Sequence, residues 1–370
     1  MLLTPIILFV ILMILLYVPP VQNFIRKQAT AIASDATGMN ISVERIDLRF
    51  PLNLLVRGVQ VVQSENDAVD VQHPDTLLNL GSLNVRVQAW PLLQGRVEVD
   101  DITLQQVAVN SSTLLEGMHI KGTLGRFFLE SHGIDLKKEN AVLNSVELSN
   151  THVQVILADT AEAPKDTVET ALNWRIALHS LKLKNVSVDL QMPLDSMTLA
   201  ANIGDASIED ANADLKRQFY GWRKFALTGT AVNYDSGTAA PVEGFDASHI
   251  ALRDIRIGID SVMSCGRDMN AVIREFSMYD RSGLTVTSLT GRLFADSTLI
   301  RVPHLQLTTP HSEMNLTAQT YWKLVDIPTT GRLSARFNAN IGKQDVLLFA
   351  GGLPETFKEA YPFRPLAIHA

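Results

Sequence analysis

The side chains that could do chemistry are scattered rather than assembled. Nine histidines are spread along the chain, and none recurs at the i, i+4 spacing that puts two imidazoles on one helix face for a metal ion. His249, in the string FDASHIAL, and His304, beside Pro303, read as turn residues. The adjacent carboxylates Asp100-Asp101 and Glu209-Asp210 would project to opposite faces of a strand, so neither pair is expected to converge on a substrate. A Gly-x-Ser-x-Gly elbow, a His-Glu-x-x-His helix and a glycine-rich phosphate loop are all missing from the sequence, each being a spacing that its chemistry requires. Cys265 is the single cysteine, which excludes a disulfide framework and a cysteine-based zinc site. The expectation is a protein that is not an enzyme and needs no cofactor and no metal.

The elements around these residues point to a membrane instead. The first 25 residues carry no charged side chain, and Leu2–Val18 (LLTPIILFVILMILLYV) is nearly unbroken hydrocarbon. As a helix this run would be about 26 Å long, enough for a thin bilayer core. Thr4 and Pro5 fall in its first turn and Pro19-Pro20 end it, positions that a helix tolerates. A cleaved signal peptide would have a shorter apolar core with a small-residue site close behind. Here the triplets Ala29-Thr30-Ala31 and Ala31-Ile32-Ala33 come well downstream, inside a helical pattern. Residues 1–19 are therefore expected to be an uncleaved anchor. Arg26 and Lys27 follow the run and no basic residue precedes it, so charge bias does not set an N-in orientation. Either a basic start lies upstream or the long translocated domain sets it. Residues 20–38 repeat apolar positions every 3.6 residues up to Gly38 and are expected to form a helix that caps the first sheet. A net charge of −7 without a basic block argues against nucleic acid as a partner.

Beyond Gly38 the period changes to two. Ile46 to Val56, Leu83-Val85-Val87, Val97-Val99, Ile255-Ile257-Ile259 and Leu333 to Ile341 alternate apolar with polar residues, the signature of strands with one greasy and one wet face. An eight-residue pattern, apolar-x-apolar-x-x-apolar-x-apolar, recurs at Leu54–Val61, Ile102–Val109, Leu181–Val188, Ile250–Ile257 and Ile300–Leu307. Its middle pairs are Arg57-Gly58, Gln105-Gln106, Lys184-Asn185, Arg253-Asp254 and Pro303-His304. Gly, Asn and Asp tolerate left-handed backbone, so each pair is expected to be a bulge or corner that returns both halves of the strand to the same face. Asp159–Thr170 and Asp235–Gly244 read as surface loops, and short helices are expected near Gln344–Phe349 and Glu355–Tyr361.

The expected fold is all-β: a long curled antiparallel or mixed sheet with an N-terminal transmembrane helix and a few short helices. The residues assigned to its apolar face are Leu54, Val56, Val59, Val61, Leu83, Val85, Val87, Ile102, Leu104, Val107, Val109, Leu181, Leu183, Val186, Val188, Ile255 and Ile257. Too few amphipathic helices exist to cover that face. A closed sandwich with a dry core, serving as a tether or adhesin-like stalk, would bury it against itself. An open trough would leave it free for lipid chains, each buried CH₂ contributing about 0.8 kcal/mol. Periodicity alone does not choose between them.

A resemblance bears on the choice. Leu16–Phe24 (LYVPPVQNF), Ile41–Leu55 (ISVERIDLRFPLNLL), Asp75–Gly81 (DTLLNLG) and Ala89–Leu104 (AWPLLQGRVEVDDITL) resemble the opening of the TamB branch of the AsmA-like family, in its Bacteroidota-type form. Leu181–Asp189 (LKLKNVSVD), Phe245–Leu252 (FDASHIAL), Ser282–Gly291 (SGLTVTSLTG) and Leu353–Tyr361 (LPETFKEAY) fit it too. The resemblance implies an inner-membrane anchor with the bulk of the chain in the periplasm. Residues 39–370 would then be a β-taco whose hydrophobic groove carries phospholipid acyl chains toward, or assists assembly of, the outer membrane. It also implies an Omp85-type outer-membrane barrel as partner. The branch's C-terminal hallmark domain is not among these residues, so the chain is expected to be an N-terminal portion.

Overall fold

A computed structural model describes residues 19–49, 52–63, 76–88, 98–111, 117–135, 138–157, 173–326, 332–349 and 354–370. The expected anchor, residues 1–18 of it, and the loop Asp159–Thr170 lie outside the described residues. Among the described residues no helix is long and apolar enough to cross a membrane. The chain is all-β and falls into two units, the first reaching residue 161 apart from residues 138–140, and the second comprising those three and residues 162–370.

The first element among the described residues of the first unit is a helix, α1 (Pro19–Thr37). Gly38 ends it in the left-handed region at φ 69°, its N–H donating to Ser34 O at 2.9 Å, the backbone exit that glycine favours. Five strands then follow as a meander: β1 (Asn40–Arg49), β2 (Asn53–Val62), β3 (Thr76–Val87), β4 (Val99–Asn110) and β5 (Met118–Asp135). Each pairs antiparallel with the next. A further strand, β6 (Asn140–Leu157), follows. The run Ile46 to Val56, expected as one strand, is two. Leu48 lies opposite Leu54 across a hairpin, and the alternation reads through the turn because both strands show their apolar residues to the same face.

Helix α1 lies along the edge of β1 that β2 leaves open. Arg26 Nη1 donates to Val43 O (3.2 Å) and Glu44 O (2.9 Å), Gln22 Nε2 donates to Leu48 O (3.3 Å), and Ser34 Oγ accepts from Ile41 N (3.1 Å). An uncovered strand edge is a template for unwanted pairing; here side chains of a helix take up its backbone groups.

In the second unit β7 (Arg175–Met192), β8 (Met197–Asp214), β9 (Phe219–Ser236), β10 (His249–Cys265) and β11 (Asp268–Asp280) form another antiparallel meander. It continues from β11 to β12 (Thr285–Val286) and β13 (Ser288–Ala295), then through β14 (Leu299–Thr308), β15 (Glu313–Tyr321), β16 (Leu333–Ile341) and β17 (Leu366–His369). Three short helices accompany it: α2 (Trp322–Asp326), which the sequence pattern did not suggest, α3 (Lys343–Phe349) and α4 (Glu355–Ala360). Asp345 of α3 accepts from Thr309 Oγ1 and Ser312 Oγ of the β14–β15 turn, and Leu348 O accepts from Phe245 N at 2.8 Å.

The corner pairs explain how such long strands keep one apolar face. Gly58, Gln106, Asn185 and Asp254, each the second member of its pair, have φ of 59°, 54°, 52° and 51°. The fifth pair, Pro303-His304, sits where the β14–β15 register skips from Val302 to Leu305. A left-handed residue turns two successive side chains to the same side, so alternation resumes one residue out of phase. Neighbouring strands meet these corners with glycine. A Cβ on Gly81 would lie 2.9 Å from Gln106 Cβ, and one on Gly125 would lie 2.8 Å from the Cβ of Asn150, a further left-handed residue on β6 at φ 52°.

Candidate functional site: an apolar sheet face in each unit

Residues directly opposite one another on paired strands share a face, and the register lines the apolar positions into rows. In the first unit one row runs Leu48, Leu54, Val85, Ile102, Leu129, the next Ile46, Val56, Leu83, Leu104, Phe127. Past the corner follow Val43, Val59, Leu80, Val107, Leu124 and then Ile41, Val61, Leu78, Val109. Val87 pairs with Val99 beyond a register skip. The other face reads Arg45, Arg57, Ser82, Gln105, Arg126, and Arg86 Nε pairs with Asp101 Oδ2 there at 2.9 Å.

The second unit repeats the arrangement. Leu183, Ala206, Leu227, Ile257 and Phe276 form one row, Leu181, Ile208, Phe225, Ile259 and Ile273 the next. Val188 opens a row with Ala201, Val232 and Leu252, while Val186 faces Ile203 and Ile255 faces Thr230. Lys182, Ser207 and Ala226 line the reverse side. The structure thus brings the seventeen candidates into register within their own units. It adds partners that alternation alone missed, because Gly122 and Gly125 interrupt β5 and small alanines dilute β8.

Exposure separates these residues. Val186 (6%) and Ile255 (5%) are buried, Val109 and Val188 (38% each) are exposed, and the other thirteen are half-buried. No large side chain among the described residues is less than 2% exposed. A sandwich core packed at crystal density would bury such rows. Thr230 is a polar interruption beside Ile255, at 3% exposure, and its Oγ1 has no hydrogen-bond partner among the described residues. Apolar rows of this kind can hold hydrocarbon: a chain of 16 carbons laid on them would gain on the order of 10 kcal/mol before ordering costs.

One expectation about the carboxylates is corrected. Glu209 and Asp210 do converge, because Asp210 is itself left-handed at φ 52°. Arg223 bridges them, Nη2 to Glu209 Oε2 at 2.5 Å and Nε to Asp210 Oδ2 at 2.6 Å, while His179 Nδ1 sits 2.6 Å from Asp210 Oδ1. The Arg223 guanidinium, then His179, hold the Asp210 carboxyl below the usual carboxylate range. With Ser261 at φ 53°, this marks a second corner, unread in the sequence, across β7 to β10. Its polar pairs face water, and the charges are consumed by one another. The two histidines expected in turns lie in strands: His249 opens β10 just after the turn begun by Asp246, with its Nδ1 2.9 Å from Asp246 Oδ2, and His304 is exposed at the bulge inside β14. Among the described residues no three His, Cys, Asp or Glu side chains are grouped to hold a metal ion.

Compared with known protein families and with curated proteins, the chain matches none.

Proposed function

We propose that the chain is a non-enzymatic lipid conduit of the TamB branch of the AsmA-like family, held at the inner membrane by residues 1–19 with its β-rich body in the periplasm. The apolar sheet face is the path for phospholipid acyl chains, and the destination is the outer membrane, with an Omp85-type barrel as partner. The observation that carries this reading is the register of large aliphatic residues on one face together with their incomplete burial. No chemical step is required. Transfer follows differences in lipid free energy, and the face lowers the barrier by keeping acyl chains out of water.

Native mass spectrometry of the purified chain tests it, with photo-crosslinking to locate the lipid. Bound phospholipid is expected, with crosslinks from Leu183 or Ile257 and none from Lys182 or Arg86. Lipid-free protein, or equal labelling of both sets, overturns it and favours a closed tether.

A further inference from the structure

In the first unit the contacts between α1 and β1 fix a direction. Gln22 Nε2 reaches Leu48 O at 3.3 Å, Arg26 Nη1 reaches Val43 O and Glu44 O at 3.2 Å and 2.9 Å, and Ser34 Oγ meets Ile41 N at 3.1 Å. Helix and strand therefore run antiparallel. The start of α1 lies beside the β1–β2 hairpin, and its exit at Gly38 lies toward the opposite end of the strands, the helix advancing about 18 Å from Gln22 to Ser34. The apolar run Leu2–Val18 ends at the residue before α1 begins, so no linker separates the proposed anchor from this helix.

Because the strands form an antiparallel meander, the hairpin end gathers the last residues of β1 and β3 and the first of β2 and β4. Arg49 is exposed there. Val87 N donates to Leu52 O at 3.0 Å and Gln88 N to Glu98 O at 2.9 Å, which fastens the end of β3 to both neighbours.

The sequences of the connections differ between the two ends. At the hairpin end they read Phe50-Pro51-Leu52 and, over residues 88–98, QAWPLLQGRVE. At the far end residues 63–75 (QSENDAVDVQHPD) and 111–117 (SSTLLEG) carry Glu65, Asp67, Asp70, Asp75 and Glu116 and no Lys or Arg. Tryptophan and leucine with an arginine beside them suit the headgroup boundary, where an aromatic ring spans apolar and wet layers and a guanidinium snorkels to water. Carboxylates are repelled by anionic lipid.

We propose that the hairpin end of the first unit, marked by Arg49, Leu52, Asn53 and Gln88, is a docking surface for the bilayer that residues 1–19 span, with the strands standing end-on and the acidic end turned away. The proposal rests on the anchor reading and adds to it an orientation. On the lipid reading, the row Leu48, Leu54, Val85, Ile102 and Leu129 near this end is then close to where acyl chains leave the bilayer.

The test uses the full chain in vesicles of phosphatidylethanolamine and phosphatidylglycerol doped with a phosphatidylcholine spin-labelled on its headgroup. On a C265S background a fluorophore is placed by N53C at the hairpin end, or by N40C or K121C at the far end, and the melting temperature checks that each labelled protein is folded. Quenching at position 53 is expected to exceed that at 40 and 121 severalfold. Equal quenching at 53 and 40 means that α1 and β1 lie flat on the bilayer, and stronger quenching at 121 means that the acidic end faces it; either overturns the proposal. Absent quenching at all three positions, in protein that floats with the vesicles, overturns the docking surface and leaves the anchor standing. Protein that does not float with the vesicles removes the anchor, and the docking surface falls with it.

Discussion

Gly204 of β8 faces the backbone of Gly229 on β9 so closely that a Cβ added to Gly204 would lie 2.8 Å from the Gly229 carbonyl oxygen. Gly229 itself is left-handed at φ 61°. The two residues carry the corner started by Asn185 on β7 across the next strands: Gly204 lacks room for a side chain, whereas Gly229 has room, with the nearest atom 3.9 Å from an added Cβ, but holds a φ that L-residues rarely adopt. Gly204→Ala should cost about 1–3 kcal/mol through overpacking, and Gly229→Ala about 1–2 kcal/mol through backbone strain. Urea unfolding midpoints measure both, and unchanged midpoints would mean the corner is not built this way.

The non-glycine corners should behave oppositely. Gln106 and Asn185 are left-handed at φ 54° and 52°, which costs an L-residue about 1–2 kcal/mol. Glycine would remove that strain but lose about as much through a freer unfolded chain. Gln106→Gly and Asn185→Gly should therefore leave stability nearly unchanged, whereas Asn185→Val should lower it by about 2 kcal/mol. A destabilised Gly variant at either site, seen in the same denaturation series, would contradict the strain argument.

These positions show what the sequence could disclose. The period-two alternation and the Gly, Asn and Asp of the first corner were legible because each reflects a local backbone preference. The second corner was hidden because Glu209-Asp210 looks like any two adjacent strand residues until Asp210 turns left-handed and Arg223 joins them. The β1–β2 hairpin was hidden because alternation persists across it. The apolar face was legible residue by residue, but its rows depend on register, and register is a property of pairs of strands that no single stretch records.

Arg26 makes a prediction about the sheet edge. Its guanidinium donates to Val43 O and Glu44 O, so Arg26→Ala leaves two edge carbonyls of β1 without these partners. The expected loss is about 1–3 kcal/mol, as for hydrogen bonds to a charged group, accompanied by concentration-dependent association through the exposed edge. Light scattering over a concentration series reads the second effect; a monodisperse variant of normal stability would remove α1 from that role.

Acid should loosen the second unit at identifiable carboxylates. The Val242 and Ser248 backbone N–H groups, then His249, lower the Asp246 pKa, as Arg223 and His179 do for Asp210. A carboxyl with a lower pKa folded than unfolded adds stability that is complete above its unfolded value near 3.9 and disappears as pH falls through the folded value. Melting temperature should therefore drop below about pH 4. Asp246→Asn should flatten that limb while lowering the melting temperature at pH 7, and an unchanged acid limb would show that the contacts do not persist in solution.

The sharpest discrimination between an open face and a packed core lies two residues apart on β10. Ile255 is 5% exposed and shares the packed corner with Val186, whereas Ile257 is half-buried between Leu227 and Phe276 on the open row. A charge at Ile255 has no route to water, so Ile255→Arg should unfold the second unit, an outcome expected of any buried unpaired charge. Ile257→Arg can extend its guanidinium into the open face along its own methylenes, so the fold should survive with a melting temperature within a few degrees of the unaltered chain. An acyl chain crossing that row would then meet a charge at a cost of several kcal/mol. Lipid retained by the purified protein should fall, and cells relying on the variant should lose envelope integrity. If both substitutions unfold the unit, the face is a dry core; if Ile257→Arg folds and lipid retention is untouched, acyl chains do not travel along this row.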